Sequence, residues 1–241
     1  MLRALLRRPD PEHIEIDHDG RTFSIAILRR PAARRLTLRV SSATGAVILT
    51  LPTRSSLTAA QKFALAHGGW IAARLARIPE RVPFLPGATI PLRGVPHAIL
   101  HREGRGTIEV DPQAATVTVP GEAPHVARRV REFLQREARR DLSEAIATYS
   151  DRLGRRPAGL TLRDTRSRWG SCTAKGELNF SWRLILAPPI VLDYLVAHEM
   201  AHLREMNHSA RFWALTHELC PNVDAAEAWL KRHGSELHRY G

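Results

Sequence analysis

The stretch Val191–Trp213, VLDYLVAHEMAHLREMNHSARFW, decides how the rest of this 241-residue chain is read. At its centre stands His198-Glu199-Met200-Ala201-His202, and after five further residues comes His208. Positions i and i+4 of a helix lie on one face, a turn apart, so His198 and His202 are expected to aim two imidazoles at one point. Zinc takes nitrogen ligands at about 2.0–2.1 Å, and a catalytic zinc uses three protein ligands and leaves the fourth position to water. Glu199, one residue on from the first ligand, is placed to serve that water as general base. His208 is the best third ligand, because Met206-Asn207 should end the helix and a loop could swing the histidine back. Glu218 or Asp224, farther along, are acidic alternatives.

The surroundings of the motif support this reading over a surface helix with two accidental histidines. Pro188-Pro189 supplies a helix start, where a missing N–H costs nothing. Ile190, Val191, Tyr194, Leu195, Val196 and Leu203 make the segment apolar on most sides, which predicts a buried helix. Unpartnered histidines on such a helix are costly unless something polar or metallic receives them.

HEMAHLREMNHSARFW, together with the upstream SRWGSC (167–172) and LNFSWRLIL (178–186), resembles the YgjP-like metallopeptidases, relatives of the SprT-like zincins. The likeness covers most of the chain and is densest over Thr161–Trp213. It implies a zinc hydrolase with one Zn2+ per chain, His198, His202 and His208 as ligands and Glu199 as the catalytic residue. The ligand spacing also equals that of metzincin proteases, but Glu205 stands where those carry a glycine. The resemblance further makes Arg166–Cys172 the wall of a substrate cleft, with an edge strand onto which an extended peptide can add. Trp169 and Gly170 are the candidate cleft residues there, Trp169 being otherwise a core side chain. Arg166, Arg168 and His217 are candidate auxiliary groups for the oxyanion.

Composition sets the bounds. Hydrophobic residues make up 44% and charged residues 25%, ordinary for a globular protein. No stretch approaches the ~18 apolar residues of a membrane span, and the apolar run in MLRALLRRPDPEH is too short for a signal peptide. Two cysteines, Cys172 and Cys220, give no disulfide framework, so a cytoplasmic location is expected. The net charge is +12. Residues 1–120 hold 17 Lys+Arg against 9 Asp+Glu, and residues 121–241 hold 19 against 15. Such a basic surface can attract nucleic acid or an acidic partner, although an arginine excess with three lysines equally fits codon bias.

Along the chain, alternation at Phe23-Ile25-Ile27, Leu36-Leu38-Val40 and Val47-Leu49-Leu51 predicts strands, with a turn at Ser42-Ala43-Thr44-Gly45. A helix is expected from Ser55-Ser56 to about Arg77 with Trp70 on its core side, followed by β segments near Thr89–Leu100 and Thr107–Val119. His97 and His101 read as surface or rim residues. Ala123–Leu153 predicts one long helix whose arginines form a solvated face interleaved with acids. Strands follow at Leu160–Arg163 and Glu177–Leu186. Ser209 should cap a helix to about Leu219, and a last helix should span Pro221–Tyr240.

The expected fold is α+β: a β-rich N-terminal lobe with one helix (1–120), then a zincin-like lobe (121–241) whose metal helix packs on a small antiparallel sheet. The expected activity is that of a zinc metallopeptidase on a peptide or protein substrate. A zinc amidohydrolase acting on a small molecule, and a nucleic-acid-associated module or peptidase using the basic lobe, are the rival readings.

Overall fold

The computed structural model describes residues 12–41, 44–78 and 80–241. The fold is α+β, and internal contacts divide it into two compact units, Met1–Pro79 and Glu80–Gly241.

In the first unit, strands β1 (His13–His18), β2 (Arg21–Arg29), β3 (Thr37–Val40) and β4 (Val47–Leu51) precede helices α1 (Leu57–Ala66) and α2 (Gly68–Leu75). The strand order is β1-β2-β4-β3: two antiparallel pairs joined through a parallel β2/β4 pairing. Alternation turns Ile14, Ile16, Ile25, Val47 and Leu49 inward, where they share a core with Ala60, Ala64 and Ile71. Ser42-Ala43 of the expected turn lies outside the described residues, as does nearly all of the N-terminal stretch read against a signal peptide. The helix expected to run from Ser56 to Arg77 is two. Ser56 caps α1 by accepting the Ala59 N–H at 3.1 Å, and α1 ends at His67. Gly68 then sits against His18 of β1, where a Cβ would fall 2.6 Å from the imidazole Cγ. With this break Ile71 is buried and Trp70 is 43% exposed, unlike the core position a continuous stripe would give it.

The second unit opens with β5 (Thr89–Leu92), β6 (Val95–Arg102), β7 (Glu109–Asp111) and β8 (Thr116–Pro120), in the order β5-β6-β8-β7. The parallel pair is again the central one, so a four-strand module recurs that the sequence does not display as a repeat. The compact units therefore do not divide at Pro120-Gly121. Ile90, Ile99, Val117 and Val119 of this sheet belong to one core with helix α3 (Val126–Leu153). His97, expected near the surface, is buried, with its Nδ1 2.8 Å from the Val95 carbonyl oxygen.

Helix α3 buries an apolar stripe of Val126, Val130, Phe133, Leu134, Leu142, Ile146 and Tyr149, and ends on Gly154 in the left-handed region. Strands β9 (Gly159–Arg163), β10 (Gly170–Cys172) and β11 (Glu177–Ser181) form a sheet ordered β10-β11-β9. Only β10/β11 is antiparallel. Strand β11 also pairs with β9 in parallel, which corrects the all-antiparallel sheet expected here. Trp182–Leu186 does not continue the strand. All five residues are buried, and the chain winds them into a 3-10 turn capped by Ser181. Helices α4 (Pro189–Ala201), α5 (Ala210–Leu219) and α6 (Val223–His233) follow, and α6 gives way to a 3-10 turn at Gly234–Arg239 instead of reaching Tyr240. Helix α4 packs against α3, α5, α6 and β10. Among the described residues no helix is long and apolar enough to cross a membrane.

Arg183 fastens the C-terminal turn. Its side chain is 7% exposed and donates to both carboxylate oxygens of Asp164 at 2.7 and 3.2 Å. It also donates to the carbonyls of Leu237 and Tyr240. Beside it, His238 stacks on Trp169 with ring centroids 4.8 Å apart. Burial, reinforced by the Arg183 charge, pushes the His238 pKa down to about 4.

Two outcomes follow for stability. Arg183→Met, which strips donors from a carboxylate and two carbonyls, should cost about 2–4 kcal/mol by chemical denaturation, since bonds to charged groups contribute about 1.5–3 each. A loss below ~0.5 kcal/mol would show that the C-terminal turn is held by packing alone. His238 stays neutral in the fold, so its contribution is complete above about pH 6.5 and drains away as pH falls toward about 4. Asp164 behaves likewise at lower pH: burial raises its pKa, but the Arg183 bonds and charge outweigh that and hold it below the usual carboxylate range. The melting temperature should therefore fall between pH 6.5 and 4 more steeply in the wild type than in His238→Phe; equal slopes would remove His238 from the account.

Candidate metal centre

Helix α4 is apolar on nearly all sides because it is buried on nearly all sides; Val191, Leu195, Val196, Ala197, Met200 and Ala201 are core residues. His198 and Glu199 occupy its last turn. His202 is the C-cap, still in the right-handed region at φ −62°, so the i/i+4 geometry survives one residue past the helix. The loop 203–207 then returns the chain. Ser209 accepts the Phe212 N–H at 3.3 Å to start α5, and His208 stands immediately before that cap.

The three histidines meet. His198 Nε2 and His208 Nε2 are 3.1 Å apart, and one nitrogen from each of His198, His202 and His208 lies within 4.8 Å of the others. Two tetrahedral ligands at zinc distances would stand about 3.3 Å apart. Phe212 backs the group, its ring centroid 4.5 Å from that of His202 and 4.7 Å from that of His208. Burial pushes the His198 pKa down to about 4, helped by the neighbouring His202 and His208, and burial lowers that of His202 as well. Burial thus favours the neutral form of His198 and His202, the form in which a histidine binds metal.

Their outward nitrogens are engaged. His202 Nδ1–H donates to the Glu205 carbonyl at 3.0 Å, which leaves the Nε2 lone pair facing the group. The Tyr194 hydroxyl donates to Glu227 of α6 at 2.6 Å, and its oxygen lies 3.4 Å from His198 Nδ1, oriented to accept that N–H. Sequence reasoning missed Tyr194 and Glu227 as site residues. Tyr194 precedes His198 by one helical turn, a signal present in the sequence; Glu227 arrives from another helix and leaves none.

Glu199 is 5% exposed. Burial drives its pKa up to about 7, against the opposing pull of the Cys172 backbone N–H and the Arg168 charge. Gly170 makes room for it: a Cβ there would fall 2.6 Å from Glu199 Oε1 and 2.9 Å from its Cγ. The close approach at Gly170 is thus that of the Glu199 carboxylate.

These groups open into a cleft of about 630 Å³ lined by Trp169, Gly170, His198 and Glu199, with Asp224 and Glu227 contributed by α6. Trp169 both lines the cleft and packs on the core. Asp224 lines the cleft but is outside the three-histidine group, and so is Glu218, which is exposed. Of the auxiliary candidates, Arg168 reaches Glu199 through its charge, whereas Arg166 acts on Asp164 and His238. His217 is exposed on α5 and does not line the cleft. Cys172 and Cys220 are free thiols and belong to no metal-binding group among the described residues.

A family model described as the YgjP-like, metallopeptidase domain matches residues 34–233, most of the chain. The chain belongs to the YgjP-like family. Searches of curated proteins and of solved structures gave no match. Membership of YgjP-like metallopeptidases makes this a metal-dependent peptidase domain, and the metal typical of that class is zinc. The donor set fits that metal: three imidazoles, a nitrogen set suited to zinc.

Gly170→Ala should push the Glu199 carboxylate out of place while sparing the histidines. Misplacement by about 1 Å can cost on the order of 10²-fold. Peptide cleavage should fall at least about tenfold with zinc content unchanged by elemental analysis; wild-type turnover in a folded Gly170→Ala protein would contradict the close-approach argument.

Proposed function

We propose that this protein is a zinc-dependent peptidase in which His198, His202 and His208 hold the metal and Glu199 is the general base. The observation that carries the reading is a buried carboxylate of raised proton affinity beside three converging imidazoles, with Glu199 and His198 lining an open cleft. A purely structural metal site gives such a carboxylate nothing to do. When bound, zinc supplies Lewis acidity that polarises a carbonyl and brings the pKa of a water toward ~7.

The remaining work falls to the chain. Glu199, with a pKa near 7, can take the proton of the attacking water on a carboxylate oxygen and return it to the departing amine, acting first as base and then as acid. The Cys172 N–H and Gly170 fix where that carboxylate sits. Tyr194 and the Glu205 carbonyl hold His198 and His202 in the tautomer that leaves Nε2 free.

The substrate reading rests on shape. Strand β10 ends its sheet and, among the described residues, pairs only with β11, so its other edge can receive an extended peptide by backbone hydrogen bonding. Gly170 of that strand lines the cleft, and the cleft is open, whereas a small-amide hydrolase would be served by an enclosed pocket.

Purified protein should carry about one zinc per chain, and His198→Ala and His208→Ala should lose it, while Glu218→Ala keeps it, because three ligands cannot drop to two without heavy loss. Glu199→Gln should retain zinc and lose at least about 10³-fold in peptide-library cleavage, near the general-base contribution of 10²–10⁴. Full zinc retention in both histidine variants, or full activity in Glu199→Gln, would overturn the assignment.

A further inference from the structure

Of the six arginines between positions 128 and 140 of α3, three are engaged by other residues and three, Arg131, Arg136 and Arg139, by none of the described residues. Arg128 pairs with Glu132 at 2.7 Å, Arg140 pairs with Glu137 at 2.6 Å, and Arg129 donates to the Gly106 carbonyl at 2.7 Å. Arg136 and Arg139, three residues apart and so on one helix face, have neither an ion pair nor a hydrogen bond with any described residue. Both line a pocket of about 520 Å³ together with Gln135, Arg163 and Trp182. Arg163, from edge strand β9, makes only a long 3.4 Å bond to Asn179.

Two carboxylates also line this pocket, and both are already neutralised: Glu132 by Arg128, and Asp164 by Arg183 at 2.7 Å. The pocket thus holds three guanidiniums without a counter-charge. Trp182 forms part of its wall. It is 1% exposed, and its buried indole Nε1 has no hydrogen-bond partner among the described residues, a rare condition for a buried N–H. The volume falls within the range of small-ligand sites, and guanidinium forks match the oxygens of a phosphate. The larger cavity of about 790 Å³ near the start of α3 is weaker on the same criteria. Its Arg129 and His101 are engaged by the Gly106 and Gly121 carbonyls, and Glu103 and Glu122 accompany them.

We propose that the pocket between α3 and β9 binds a phosphate-bearing anion, held by Arg136, Arg139 and Arg163. It shares no lining residue with the metal cleft, so ligand binding there is separable from hydrolysis. The phosphate could be a free small anion or belong to a nucleic-acid backbone, and the test separates the two.

Zinc-loaded full-length protein is titrated with inorganic phosphate by calorimetry and, separately, with a fluorescent twelve-nucleotide oligothymidylate by anisotropy at fixed salt. Wild type should bind at least one of them. Arg136→Gln/Arg139→Gln, changed at exposed positions, should weaken that binding about tenfold or more. Arg128→Gln, which removes an arginine already paired, should change it less than twofold, and cleavage of a short peptide by the double variant should stay within twofold of wild type. Binding of phosphate alone assigns a free anion, and binding of the oligonucleotide assigns a backbone. Absence of both, undiminished binding in the double variant, or an equal loss in Arg128→Gln would overturn the proposal.

Discussion

Helix α4 buries Glu199 and half-buries Asp193 and His198 among its apolar residues, and the cost of taking those groups out of water shapes everything around it. Each is met by a partner from a different element. Asp193 accepts the Tyr149 hydroxyl of α3 at 2.8 Å, His198 is approached by Tyr194 and His208, and Glu199 leans on the Cys172 backbone of β10. Satisfying these groups fixes α3, α5, α6 and β10 relative to the helix. The partner of Asp193 is a neutral hydroxyl, and burial with that bond raises the Tyr149 pKa. Glu199 receives less: one backbone donor and a remote arginine do not offset its burial, which leaves its proton affinity high. That incomplete solvation would count as a defect in an ordinary core; if Glu199 is the general base proposed above, it is what suits the carboxylate to accept and release a proton near neutrality.

The same logic explains where glycine is required. At Gly170 the limiting contact is the carboxylate of Glu199, and at Gly68 it is the imidazole of His18; neither residue needs an unusual backbone angle. Both are positions where a strand meets a helix too closely for a Cβ. In the second unit such closeness shields Glu199 from water on the β10 side. In the first unit it ends α1 and restarts the chain as α2.

Much of this could be read from the sequence because it is local. His198 and His202 are bound by helix periodicity, Ser209 announces α5, and the α3 stripe recurs at helical spacing over seven turns. What could not be read is what depends on pairing across the chain. The parallel β2/β4, β6/β8 and β9/β11 pairings have no local signature, since alternation reveals a strand but not its neighbour. For that reason β5–β8 read as part of an N-terminal lobe, although their inward residues share a core with α3. Trp182–Leu186 misled for a related reason. A run of apolar residues is equally consistent with a buried strand and with a buried turn, and periodicity cannot separate them.

Charge illustrates the limit most clearly. On α3 every arginine has an acid within a few residues, and spacing alone makes the face look self-neutralised. Pairing is competitive, however: Arg140 lies within 4 Å of Glu137, Asp141 and Glu144, and Arg93, reaching in from the β5–β6 turn, takes Glu137 at 2.8 Å and Asp141 at 2.7 Å. Arg93 does so at φ 51°, a left-handed conformation uncommon for a residue with a side chain, and its own pKa rises chiefly through the Asp141 bond, against the opposing effect of burial. The two acids that spacing would assign to the middle of α3 are therefore consumed by Arg140 and by a residue 44 and 48 positions away. Arg136 and Arg139 are left over by that competition, and the uncompensated charge sits where α3 faces β9. A net charge of +12 is thus not spread as a uniform coat; tertiary pairing concentrates it at the positions where no carboxylate remains.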